Sequence, residues 1–125
     1  VGRTENPDIS RMTIVMENAN TDAKKVEANL YKLVNIIDVQ DVTNQPTVAR
    51  DLALIKVNAE AEQRSEIANL VNIFRAKIVD TGLAHFIIEA TGKEEKINAL
   101  LQMLEPMGIK KLARSGILAL YREPE

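Results

Sequence analysis

Apolar residues along this chain switch repeatedly between a two-residue and a 3.6-residue period, and that alternation leaves few folds open. Met12, Ile14 and Met16 fall on one face of an expected strand over Arg11 to Glu17, with Thr13 and Val15 on the other. Asn6-Pro7-Asp8 supplies a turn before it, so that Val1 to Thr4 reads as an earlier strand joined as a hairpin. From Thr21 to Val34 the spacing becomes helical, on Val26, Leu30 and Leu33, with Asn20 or Thr21 as N-cap and Asp22 in the first turn. Asn35 to Val42, rich in Ile and Val, is expected to be a strand. Thr43 to Ala49 carries no period and marks a junction.

Beyond the junction the pattern sharpens. A strand is expected over Asp51 to Ala59, then a helix from about Glu62 to Arg75 striped by Ile67, Leu70, Val71 and Phe74. Lys77 to Thr81 and Ala84 to Thr91 read as strands around a turn near Gly82. Thr91-Gly92-Lys93-Glu94 has capping-box spacing, and Ile97, Leu100, Leu101 and Leu104 stripe a third helix closed by Pro106 and Gly108. Ile109 to Tyr121 is expected to contain the last strand or pair of strands, broken or bulged around Ser115-Gly116. Residues 51–121 therefore spell βαββαβ, the split βαβ ferredoxin-like order, and residues 1–42 spell its second half. The fold class is α+β: two tandem ferredoxin-like sandwiches, the first lacking its first strand and helix. Those elements are expected upstream of Val1, since the chain opens without Met.

Composition decides what such sandwiches can do. Sixteen Lys and Arg against eighteen Asp and Glu leave a net charge of -2, without the basic footprint of a nucleic-acid binder. The absence of Cys removes disulfides and thiolate sites, and one His leaves little room for zinc or triad chemistry. Two Phe, two Tyr and no Trp disfavour base-stacking platforms. No apolar run approaches the roughly 18 to 20 residues that span a bilayer, and no signal peptide is visible. The expectation is a soluble, cytoplasmic protein.

The remaining site candidates are thin. His85, between Ala84 and Phe86, reads as structural or surface. Asp80 and Glu89 are placed facing each other across a hairpin, where a solvated sheet end is the commoner setting for paired carboxylates. Glu94, Glu95 and Lys96 read as a solvated helix start, and Lys110 with Lys111 is two charges, not a nucleic-acid patch. No Walker loop or G-x-G-x-x-G is present. Two strands, however, are apolar on both faces: Leu52 and Leu54 oppose Ala53 and Ile55, and Leu118 and Leu120 oppose Ile117 and Ala119. A two-layer sandwich covers one sheet face with helices, so the second face is expected to be buried against another subunit, with isolated exposed hydrophobes as its other reading.

The segments SRMTIV (Ser10 to Val15), YKLVNIIDV (Tyr31 to Val39), ALIKV (Ala53 to Val57), IFRAKIVD (Ile73 to Asp80), IEATG (Ile88 to Gly92) and ARSGI (Ala113 to Ile117) together resemble the small regulatory subunit of acetolactate synthase, also called acetohydroxyacid synthase. The resemblance implies a partial ACT domain over residues 1–43 and a C-terminal ferredoxin-like domain over residues 50–125. It implies no catalytic residue and no metal or cofactor in this chain. It also implies a homodimer, a branched-chain amino acid effector of the valine type, and a large catalytic subunit using thiamine diphosphate, Mg²⁺ and FAD. The family's effector lies at the ACT dimer interface, and most of that site would precede Val1. Gly2 alone carries over as an effector-binding position, with a plain hairpin-entry glycine as its other reading. Two rival functions remain: a free-standing ACT-type sensor acting on transcription, and a small ferredoxin-like enzyme. The first would need a DNA-reading helix-turn-helix, and the second a site that the inventory does not supply.

Overall fold

The computed structural model describes residues 1–16, 23–33 and 35–122. Contacts divide the chain into two units, Val1–Val48 with Ala119–Glu125, and Ala49–Leu118.

The first unit opens with β1 (Gly2–Arg3) and β2 (Ser10–Arg11), paired antiparallel with Gly2 opposite Arg11. The expected hairpin turn is present. Asn6 Oδ1 accepts from the Asp8 N–H at 3.0 Å, and the Ile9 N–H returns to the Asn6 carbonyl. The strand expected over Arg11 to Glu17 is corrected: beyond Arg11 the described residues to Met16 carry no ladder. α1 (Ala23–Tyr31) matches the helical spacing, although the expected caps Asn20, Thr21 and Asp22, and the helix end at Val34, lie outside the described residues. The strand expected over Asn35 to Val42 is corrected as well. Its described residues are irregular, held locally where Tyr31 Oη accepts from the Val39 N–H at 2.9 Å and donates to Asp38. Both segments have strand-like composition and lack a partner strand among the described residues, and a strand without a ladder is not stable in water.

In the second unit periodicity and structure agree closely. β3 (Thr47–Asn58) is followed by α2 (Arg64–Ile73), β4 (Lys77–Thr81), β5 (His85–Gly92), α3 (Glu94–Leu104) and β6 (Ile109–Arg114). The sheet order is β4-β5-β3-β6, all antiparallel, which is the ferredoxin-like arrangement. β7 (Leu118–Tyr121) also pairs with β3. The β-branched run of β3 explains its central place, since Ala53, Ile55 and Val57 oppose Ala90, Ile88 and Phe86 and are buried on the helix-covered face. Ile67 and Val71 of α2 and Ile97, Leu100 and Leu104 of α3 close that core.

Helix ends show where local rules hold and where they yield. α2 stops with Arg75 at φ 55°, and the Ala76 N–H bonds the Val71 carbonyl, a left-handed terminus that glycine usually provides. The expected capping box at Thr91 is corrected. Thr91 and Gly92 remain in β5, paired with Leu52 and Asp51, so Lys93 takes the N-cap position with no side-chain cap bond. After α3, Pro106 lies in a single 3-10 turn (Glu105–Met107), and Gly108 follows at φ 95°. The Gly108 carbonyl accepts from the Asn58 N–H, and a Cβ at Gly108 would collide with Asn58 Nδ2. Gly108→Ala is therefore expected to cost about 1–3 kcal/mol in a urea melt, from the left-handed backbone and the displaced Asn58 together.

Candidate functional site

Three groups of side chains are candidates, and the sequence reading singled out two of them. At the β4–β5 hairpin, β4 carries a bulge between Ile78 and Asp80, which sets Asp80 opposite Ile87 and Lys77 opposite Glu89. The expected facing of Asp80 and Glu89 is thereby corrected. Asp80 instead bonds His85 Nε2 at 3.0 Å, at a position 57% exposed. The pair is a solvated strand-end contact. Behind it, Arg64 at the start of α2 donates to the carbonyls of Ala59, Gly82 and Leu83 and stacks on Phe86 at 4.7 Å, fixing the hairpin to the helix. Glu94 and Glu95 are exposed at the start of α3, as expected. Among the described residues no group of three or more His, Asp or Glu could hold a metal ion.

The second candidate is the sheet face turned away from the helices. Strand pairing places Leu54 in one row with Glu89, Lys77 and Ala113, and Lys56 in the next with Ile87 and Lys111. Leu52 and Leu54 are 40% and 42% exposed in the single chain. Leu118 and Leu120 of β7 are also exposed, while Ile117 and Ala119 are half-buried. Such a face, apolar at its centre and carrying both signs of charge around it, suits protein contact better than chemistry.

The third candidate was missed by the sequence reading. Asp51 is 2% exposed, and its Oδ2 accepts from Arg114 Nε at 3.0 Å and from Arg114 Nη2. Arg114 Nη1 donates to Asn98 Oδ1 on α3 at 2.8 Å. Ser115 Oγ accepts from the Leu52 N–H at 3.1 Å, and the Ser115 N–H bonds the Leu52 carbonyl at 2.9 Å. A signal was available: Asp51 shares the core-facing phase of Ala53, Ile55 and Val57, and a carboxylate there needs a cationic partner.

In the first unit, Gly2 sits in β1 opposite Arg11, with open space where a Cβ would point. A separate hollow of about 280 Å³ is lined by Gln40, Asp41, Val42, Gln45 and Tyr121. The Thr43 hydroxyl, and after it the Thr43 N–H, hold the Asp41 carboxyl below its ordinary pKa. A depressed carboxyl pKa contributes stability above the unfolded value and loses it as pH falls through the folded one. Thr43→Val is expected to raise the Asp41 titration toward that of an ordinary carboxylate, read by carbon-detected NMR. An unchanged midpoint would show that the hydroxyl bond does not persist in solution.

No helix among the described residues is long and apolar enough to cross a membrane. Residues 50–123 match the family described as the small subunit of acetolactate synthase. The chain is 45% identical over 124 residues to the acetolactate synthase small subunit of Mycolicibacterium smegmatis, covering 99% of this chain and 73% of that one. It is 47% identical over 122 residues to a probable acetolactate synthase small subunit of Archaeoglobus fulgidus, covering 98% and 76%. A crystal structure of the small subunit from Thermotoga maritima superposes with a TM-score of 0.76 at 35% identity, over 87% of this chain and 68% of that one. The βαββαβ topology, the residues that build it and this near end-to-end identity agree, and the chain belongs to the acetolactate synthase small-subunit family.

Proposed function

We propose that this chain is a non-catalytic regulatory subunit of acetolactate synthase, which activates a large catalytic subunit and conveys feedback from a branched-chain amino acid of the valine type. The observation that carries this reading is the identity of 45% across 99% of the chain to a protein bearing that subunit's name. In this reading residues 1–43 are part of an ACT regulatory domain, residues 50–125 are the C-terminal domain, and Gly2 lies beside the effector. Thiamine diphosphate, Mg²⁺ and FAD belong to the catalytic partner. The protein acts in the cytoplasm as a homodimer. The exposed sheet face supports that assembly, because Leu52 and Leu54 lie among charges of both signs, Lys56, Lys77 and Lys111 together with Glu89 and Asp80. Two copies can therefore set unlike charges against each other around an apolar centre.

Regulation of this kind is a coupling free energy: valine must favour one arrangement of the subunits over another, typically by about 1–3 kcal/mol. The test is acetolactate formation from pyruvate with the full-length chain and its cognate catalytic subunit. The chain alone is expected to form none, to raise the catalytic subunit's rate on mixing, and to lower it again with valine. Turnover by the chain free of large subunit, or an unchanged rate at saturating chain, would overturn the reading.

A further inference from the structure

Asp51 is the one charged residue buried among those described, and it occupies a core-facing position that an apolar side chain would fill at lower cost. Desolvating a carboxylate and a guanidinium offsets most of their attraction, so such a pair is better suited to setting register than to adding stability. Its position along the chain indicates what it sets. The chain passes between the two contact units after Val48 and again after Leu118. Asp51 and Leu52 lie just past the first passage, and Arg114 and Ser115 lie just before the second. The bond from the Ser115 N–H to the Leu52 carbonyl, the bond from the Leu52 N–H to the Ser115 hydroxyl oxygen, and the ion pair beside them fasten these connecting segments to each other. Through Asn98, Arg114 also ties them to α3.

We propose that Asp51, Arg114 and Ser115 form a positioning clamp for regulation, holding both connecting segments in one register so that a displacement arriving along them is passed to β6 and α3. This rests on the regulatory reading above. Segment ends without such a tie open locally at little cost and would absorb a displacement instead of passing it on. Coupling between distant sites is carried by hydrogen-bonded and ion-paired networks on rigid elements, and two strands bonded to one buried pair are such a network.

The test separates the clamp from mere stability. Replacing both charges together, Asp51→Leu with Arg114→Met, fills the site with apolar side chains and leaves no buried charge unpaired. In the full-length chain with its catalytic subunit, this double variant is expected to melt close to the parent and still activate. Its response to saturating valine should fall by about fivefold or more. The Leu52 and Ser115 amides should exchange roughly tenfold faster than in the parent, with α3 core amides unchanged. Arg114→Lys, which keeps the charge but not the two-nitrogen grip, is expected to give an intermediate loss, and it carries the test if the double variant fails to fold. A full valine response in variants whose Leu52 and Ser115 amides exchange faster would overturn the proposal, as would parent-like exchange at those amides. A parent that binds valine and shows no effect on the catalytic subunit would instead overturn the regulatory reading, while the amide rates still decide whether the three residues act as a clamp.

Discussion

Arg114→Ala is expected to destabilise the ferredoxin-like unit by about 3–5 kcal/mol, because it strands a carboxylate that cannot reach water. Asp51 is 2% exposed and loses both of its guanidinium contacts at once, while Ser115 Oγ stands at 3.5 Å from its other oxygen. For a unit of this size the loss corresponds to a fall in melting temperature of roughly 10 °C or more. Asp51→Ala should cost less. The Arg114 side chain is 26% exposed, so a freed guanidinium can turn toward solvent. That asymmetry is the informative result, read by urea melts of the two single variants. Equal losses of a few tenths of a kcal/mol would mean that the pair is solvated and that its burial is not maintained.

Leu54→Lys is expected to weaken self-association by roughly 100-fold or more, equivalent to about 2.7 kcal/mol, while the unfolding free energy changes by about 0.5 kcal/mol or less. Within a single chain Leu54 is 42% exposed, beside Glu89 on β5 and Ala113 on β6, so an ammonium there stays in water. In a dimer closed over this face the same ammonium would be desolvated, and its neighbours are already engaged with the opposing copy. Sedimentation velocity across micromolar concentrations reads the association, and a thermal melt reads the fold. Parent-like sedimentation with a parent-like melt would make Leu52 and Leu54 isolated exposed hydrophobes, which are common on protein surfaces.

What the sequence determined by itself is the ferredoxin-like unit, and the reason is local. Alternation in β3, the stripes of Ile67, Leu70 and Val71 and of Ile97, Leu100 and Leu104, the stop at Pro106 and Gly108, and the break at Ser115-Gly116 all act within a few residues. The family resemblance was legible in the same way. What only the tertiary structure decided is pairing between distant segments. Met12 to Met16 and Asn35 to Val42 have the composition of strands, yet a strand forms only where a neighbour completes its ladder. Gly92 stays opposite Asp51 in the sheet, which draws Thr91 away from the helix start that its spacing suggests. The β4 bulge turns Asp80 from Glu89 to His85. Asp51 meets Arg114 at a sequence separation of 63, because β3 and β6 lie side by side in the sheet. Periodicity records which face of an element turns inward; which residue it meets there depends on strand order and register, and those follow from the packing of the whole unit.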